Sequence, residues 1–415
     1  MIGKLFQETS PSLESQSTPE FNLLLHCTNH HLDPGAETEI KNLLTTALDW
    51  KLLLELALRH GVVGLFYQTL QKVGFEAVPL EISRSLLVNV QRSTLHSMIL
   101  MQELLRLQPL FAAQAIPVIP FKGPLLSTEL YQNLGLRKTS DLDLLVPPEY
   151  FQQAIELLTR SGYAAVRDWS FLNPGREAAY IRAWHEYSLT NGSICIDLHQ
   201  TLTPNYFLSQ EPSFDQLWRN RQQVLLSGQP IWSFGNEDLL IYLTVHGSKE
   251  CWRVLKWICD IAQFVQTYPE TDWSRVVLKS QTLGSERMLL LGFRLAQLLL
   301  RLTVPPEIQQ RIMSDPECNA LARELALNLL SPDPRISNKF SLKKTLFYFR
   351  MMTTTRDRLN CLNCLWKPIH RNLIILFPNN RDESFWNLPS QLHFLYYLLR
   401  PFRLMITRLS PARDS

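Results

Sequence analysis

The spacing of the apolar residues changes twice along the chain, and that double switch limits the fold more than any single motif. Upstream, Leu43, Leu44, Ala47, Leu48, Leu52 and Leu56 recur at helical spacing, with Gly61 as a C-terminal stop, and one long amphipathic pattern runs from Pro79 to Ala115. Between Ile116 and His199 the repeat shortens to that of β-strands. Beyond Asn236 it lengthens again, with Glu237 to Tyr268 and Arg287 to Leu302 both periodic as helices. The chain is therefore α+β, a small strand-bearing centre flanked by helices on both sides.

Within the centre, Ile116 to Phe121 is β-branched and interrupted by Pro117 and Pro120, as an edge strand tolerates. Leu142 to Val146 forms a second strand, and Pro147, Pro148 and Glu149 open a helix to about Arg160 that Gly162 ends. Glu186 to Thr190 and Ser193 to His199 flank Asn191-Gly192, a pair suited to the positive φ angles of a two-residue hairpin turn. The expected divisions are a loose arm over 1–35, a helical region over 36–115, an α+β core over 116–235, a helical domain over 236–330 and a basic helical region over 331–415.

With 415 residues, 46% of them hydrophobic, the chain can bury more than one structural unit. Only 19% are charged, which excludes a disordered chain. Seven widely spaced cysteines and a Ser- and Thr-rich start without an apolar run argue against a disulfide scaffold and fit a reducing cytoplasm. Met288 to Leu302, interrupted by Arg294, is too short for a membrane span and is expected to be a buried helix. Residues 335–415 hold 14 Lys and Arg against 4 Asp and Glu, a charge of +10, leaving 27 against 34, or −7, for the rest. Such segregation suits contact with an anionic partner or simply a solvated basic face. Leu392 to Leu409 interleaves Phe394, Tyr397 and Leu398 with Arg400, Arg403 and Arg408, a pattern that fits weak contact with an anionic membrane or packing onto the body, with Pro401 expected to kink it.

Asp141 and Asp143 occupy alternate positions of a strand, so their side chains leave the same face about 6 to 7 Å apart at the backbone. Converging to about 4 Å, two carboxylates would repel by roughly 4 kcal/mol at an effective dielectric of 20. A divalent cation relieves that repulsion, and hard Mg²⁺ prefers carboxylate oxygens. On the hairpin, Ile194, Ile196 and Leu198 form the buried face and leave Cys195, Asp197 and His199 opposite. If the two strands are neighbours, Asp197 joins the pair, and three carboxylates can hold two metals for an in-line displacement at phosphorus. Upstream, Lys122-Gly123 leads into a helix from about Pro124 to Tyr131, whose N-terminus and lysine suit phosphates, and Arg137 could add a guanidinium. Asp-x-Asp alone is a weak signal, more often explained by solvated or turn aspartates.

Taken in order, Phe121-Lys122-Gly123, Leu130-Tyr131, Leu136-Arg137, Ser140-Asp141-Leu142-Asp143-Leu144-Leu145-Val146 and Asp197-Leu198-His199 resemble the uncharacterised bacterial nucleotidyltransferases of the DNA polymerase beta-like superfamily. The resemblance extends less specifically over Trp50 to Leu70 and His246 to Asp260. It implies a small mixed-sheet nucleotidyltransferase core with helical flanks that complete a cleft, magnesium on Asp141 and Asp143, and Asp197 as the third carboxylate, helping to activate an acceptor hydroxyl. Where that superfamily has serine after the glycine, this chain has Pro124, which lacks an N–H and shifts the expected phosphate contacts to Lys122, Ser127 or Arg137.

The remaining candidates accompany this core. Ser140 stands beside the carboxylates. His199 shares a face with Asp197 and could touch substrate or serve as a structural hydrogen-bonding group. His246, Lys249 and Lys256 fall on one helical pattern that could meet a triphosphate or be a solvated face, with Asp260 placed to pair with Lys256. Cys361-x-x-Cys364 lacks a second ligand pair for zinc, and Cys195 lacks an adjacent base. The expected activity moves a nucleoside monophosphate from a magnesium-bound nucleoside triphosphate such as ATP to the hydroxyl of a sugar, small metabolite, protein side chain or RNA end. The alternative, motivated by Pro124, is a nucleotide-binding interaction protein without turnover.

Overall fold

A computed structural model describes residues 17–28, 34–166, 185–204, 207–330 and 342–360, and in the C-terminal region 385–386, 388–389, 392 and 395–409. Cys361, Cys364 and most of the expected N-terminal arm lie outside these residues. The first helical region comprises α1 (Pro19–Thr28), α2 (Pro34–Leu44), α3 (Trp50–Arg59), α4 (Val63–Val73) and the long α5 (Leu80–Ala113). Asp49 caps α3 by accepting the N–H groups of Lys51 and Leu52. Gly61, at φ +69°, turns the chain after it as its position in the sequence suggested.

The central sheet contains β1 (Ile119–Pro120), β2 (Leu142–Leu145), β3 (Ala164–Ala165), β4 (Glu186–Thr190) and β5 (Cys195–His199), in the order β1-β2-β5-β4-β3. β2 and β5 run parallel and the other pairs antiparallel, so the sheet is mixed. Between its strands lie α6 (Gly123–Tyr131) and α7 (Phe151–Arg160). The β4–β5 turn sits one residue later than the sequence pattern suggests. Asn191 N–H donates to Ile194 O at 3.2 Å, and the Asn191 side-chain oxygen accepts from the N–H groups of Ser193 and Ile194, placing Gly192-Ser193 at the tip.

Side-chain alternation divides the sheet into two unlike faces. Leu142, Leu144, Ile196 and Leu198 pack with Leu100, Leu104 and Phe111 of α5 and with Phe151 and Leu158 of α7. The opposite face carries Asp143, Asp197 and His199. Next come α8 (Phe214–Asn220), a separate hairpin of β6 (Gln222–Leu226) and β7 (Gln229–Ser233), then α9 (Asn236–Lys249) and α10 (Leu255–Thr267).

The single periodic stretch from Glu237 to Tyr268 is thus two helices. Cys251 and Trp252 take positive φ angles of 55° and 47°, and the fully buried Trp252 ring lies against Gly247 and Gly292, where a Cβ would come within 2.6 and 2.9 Å of it. Burial of that ring on both sides of the turn offsets the left-handed backbone, a tertiary effect that periodicity does not register.

The helical layer continues through α11 (Trp273–Thr282), the buried α12 (Glu286–Leu300), α13 (Pro306–Ser314), α14 (Pro316–Leu330) and α15 (Leu342–Met351). Among the described residues no helix is long and apolar enough to cross a membrane. A last helix, Tyr396–Leu409, runs through Pro401 without a break. It also reverses the expected basic face: Arg400 and Arg403 are 4% and 7% exposed, whereas Tyr397, Leu398 and Phe402 are exposed. Both arginines have interaction partners, so they are not presented to an anionic surface.

Candidate active site

The parallel pairing of β2 with β5 sets Asp143 directly opposite Asp197 and Leu145 opposite His199. Antiparallel pairing with β4 adds Ser188 opposite Asp197 and Glu186 opposite His199 on the same face. Asp143 is 2% exposed and is held on one oxygen: Lys122 Nζ lies 2.6 Å and His199 Nε2 3.1 Å from Oδ1. Its Oδ2 is buried with no hydrogen-bond partner, as is His199 Nδ1. Burial alone would push the Asp143 carboxyl up, but Lys122 and His199 outweigh it and hold the group well below the usual carboxylate range. Asp141 behaves oppositely, raised by burial and then by the charge of Asp143. Asp197 is also raised, by burial against the opposing hydrogen bond of Ser188, with Asp143 adding to the rise.

Lys122 reaches Asp143 because of the glycine that follows it. Gly123 has φ +62°, and a Cβ there would stand 2.8 Å from the Asp141 carbonyl oxygen, so the turn lies directly on the backbone entering β2. Pro124 occupies the first turn of α6, where its missing N–H leaves no intrahelical bond unmade. Ser127 does not join the site: it is fully buried, and its hydroxyl donates to Gly123 O at 3.3 Å.

Arg137, expected beside phosphate, has its Nε engaged by Asp260 at 2.9 and 3.1 Å, and Tyr131 OH donates to the same carboxylate. The Arg137 to Asp260 bond replaces the pairing of Asp260 with Lys256 anticipated from helical spacing. Lys256 Nζ instead donates to Lys138 O at 3.3 Å. With Thr139 hydrogen-bonded to Ser97 at 2.7 Å, these contacts tie the 137–140 loop to α5 and α10 and leave Ser140 exposed next to Asp141.

Across the cleft, α9 presents Tyr242, His246 and Lys249. Phe121 packs edge-on to His199 at 5.1 Å and to Tyr242 at 4.9 Å, while Tyr242 stacks on His246 at 5.8 Å. Burial, then Lys122 and Lys249, pushes His246 well below the ordinary imidazole range. Sequence reasoning missed Glu186 and Tyr242. Glu186 pairs with His185 Nε2 at 3.1 Å, which outweighs burial and, with Lys249, lowers its carboxyl. Hairpin register alone could have placed Glu186 on the Asp197 face. Tyr242 precedes His246 by one helical turn, a spacing that could have added it to the same face.

Among the described residues no group of three or more His, Cys, Asp or Glu side chains is arranged to hold a metal ion as it stands. The donors nevertheless suit a hard cation, because Asp143 Oδ2 is an unpartnered carboxylate oxygen and Asp141 and Asp197 are raised by burial and, secondarily, by the charge of Asp143. Chemically, the cleft combines hard oxygen donors with a fixed cation, Lys122, which suits electrostatic handling of phosphate esters. Residues 46–301, more than half of the chain, match a family described as an uncharacterised nucleotidyltransferase. No curated protein and no solved structure matches the chain.

Proposed function

The chain belongs to this family of uncharacterised nucleotidyltransferases, and from that premise we propose that the Asp141, Asp143 and Asp197 cleft transfers a nucleoside monophosphate from a nucleoside triphosphate to an acceptor hydroxyl, releasing pyrophosphate. The observation that carries the reading is the pairing of Asp143 against Asp197 on parallel strands, with Asp141 two residues before Asp143 and one Asp143 oxygen left unpartnered. Asp141, Asp143 and Asp197 would hold divalent cations, magnesium being the natural choice for oxygen donors, which supply charge neutralisation at the phosphate oxygens. Lys122 holds Asp143 ionised and oriented. Asp197, raised by burial from its ordinary value, accepts the proton of the acceptor hydroxyl as it attacks phosphorus. His199 helps fix Asp143 through the same oxygen that Lys122 contacts.

The experiment is incubation with each labelled nucleoside triphosphate and magnesium, with a panel of sugars, small alcohols, protein and RNA as acceptors, reading pyrophosphate and labelled product. Pyrophosphate release that disappears in Asp141→Asn supports the proposal. Release unchanged in that variant would remove the carboxylates from the chemistry.

A further inference from the structure

Beside Asp141 opens a cleft of about 510 Å³ with Arg59, His60, Lys138, Ser140, Arg253 and Lys256 on its walls. Among the described residues no carboxylate lines it. Arg253 is paired with Glu250 at 2.7 Å, but neither Lys138 nor Lys256 forms an ion pair with a described residue, and Lys256 Nζ has only the Lys138 carbonyl at 3.3 Å.

The cations are held in place by the junction between α3 and α10. His60 accepts two N–H groups at the start of α10, that of Leu255 on Nδ1 at 3.3 Å and that of Lys256 on its carbonyl at 3.1 Å. With Nδ1 accepting, the neutral ring carries its proton on Nε2, which is buried without an acceptor. Burial and then the Arg59 charge push His60 down to about 4, so the ring stays neutral. Gly61 lets the Lys256 stem lie across the turn, since a Cβ would come within 3.0 Å of Lys256 Cδ. The Lys256 ammonium is destabilised by burial and then by Arg137, with Lys122 adding to it, and is within electrostatic reach of Asp141. Lys138 and Lys256, gathered in one cleft without an ion-pair partner among the described residues, favour the entry of an anion.

We infer that this cleft is an anion seat, built by Lys138 and Lys256 with Arg59 on its wall, that takes a phosphoryl group of the substrate. Its assignment to substrate rests on the proposed transferase reading. The volume of about 510 Å³ falls within the range of small-ligand pockets and leaves room for linked phosphates. The bound group comes either from the polyphosphate of the nucleotide or from a phosphate carried by the acceptor, and both present the same oxygens to the lysines.

Calorimetric titration of the full chain with inorganic pyrophosphate, at low salt and in EDTA, tests the seat without turnover. Wild type is expected to bind, Lys138→Gln and Lys256→Gln each to bind at least tenfold more weakly, and Asp141→Asn to bind as wild type or more tightly. Circular dichroism establishes that each variant is folded, and exposed Lys138 provides a substitution that disturbs no packing. Repeating the titration in magnesium with saturating non-hydrolysable triphosphate separates the sources. Exclusion of pyrophosphate assigns the seat to the nucleotide, and simultaneous binding assigns it to a phosphorylated acceptor. Absence of pyrophosphate binding in folded wild type, or binding indifferent to both lysine substitutions, overturns the inference. An intact seat in a protein that releases no pyrophosphate from any triphosphate would instead defeat the transferase reading and leave the seat standing.

Discussion

In the proposed reaction Asp143 would combine a chemical role with the structural one its buried bonds show, and the two should separate under mutation. Its neighbour Asp141 is partly exposed, so Asp141→Asn should lower turnover about a thousandfold or more, equivalent to roughly 4 kcal/mol, while the melting temperature stays at the wild-type value. Asp143→Asn should lose turnover to a similar degree and also destabilise the fold by about 3–5 kcal/mol, because it leaves the Lys122 ammonium buried without its partner. Facing away from the hydrophobic core therefore does not make Asp143 a solvent-facing residue. Adding Lys122→Met should restore much of the melting temperature and none of the turnover; recovery of both would make the carboxylate purely structural. Lys256 gives a second test at this scale. Burial, Arg137 and Lys122 disfavour its cation, Asp260 and Asp141 favour it, and the balance is about 8. The folded value lies below the unfolded one, so the contribution of this group to stability rises as pH increases from about 8 towards the ordinary lysine range near 10. The lowered value leaves more neutral amine near pH 8 than an ordinary lysine has, so an amine-acylating reagent should modify Lys256 early, with pyrophosphate protecting it. Peptide mass spectrometry that finds Lys256 among the last lysines modified would contradict the seat. At this scale the aspartates are legible in the sequence because Ser-Asp-x-Asp is local, whereas the bonds from Lys122 to Asp143 and from Lys256 to Lys138 depend on turns that only the folded chain displays.

Between elements, the Arg137–Asp260 bond joins the loop before β2 to α10 across 123 positions of sequence. Both side chains are almost completely buried, so Arg137→Met or Asp260→Leu alone should cost about 3–5 kcal/mol by leaving one charge unpaired. The double variant should unfold closer to wild type than either single one in urea, since an apolar pair of similar volume removes both desolvation penalties. A double variant less stable than either single substitution would show that the bond does more than tie the loop down. The same distance in sequence explains which elements can be read in advance. β2, β5 and the helices around them follow from local periodicity, and β1 is reduced to Ile119–Pro120 as its prolines suggest. The hairpin turn shifts by one residue because the Asn191 side chain takes the N–H groups after it, a local effect hidden by the usual Asn-Gly preference. The break between α9 and α10 is illegible for a different reason: the amphipathic period continues through it, and the burial of Trp252 against α9 and α12 sets the turn.

Across the whole molecule, the asymmetry of charge left the basic C-terminal region open to contact with an anionic partner, to a solvated face or to packing onto the body, and its described part is docked. Phe347, Tyr348, Met351 and Met352 are buried. Tyr348 OH donates to the Lys249 carbonyl at the end of α9, and Arg287 of α12 donates to the Arg350 carbonyl at 2.8 Å. Arg350 itself bridges Glu317 and Glu324 of α14 at 2.6 and 2.7 Å, so cations of the tail meet anions of the body. Removing residues 331–415 would take those four side chains away, each worth about 1.5–3 kcal/mol when fully buried, would uncover the apolar surface they pack on, and would also loosen Lys249, whose charge acts on Glu186. The truncated chain still contains the whole family-matched segment, 46–301, and all of the site residues. It should nonetheless melt at least ~5 °C below the full chain, on the scale of about 2–4 °C per kcal/mol for a domain of 150–250 residues, and should turn over more slowly. Differential scanning calorimetry together with the pyrophosphate assay decides it. Equal melting and equal rates would make the tail an independent appendage, whereas loss of both places α15 among the elements that hold the cleft wall in position.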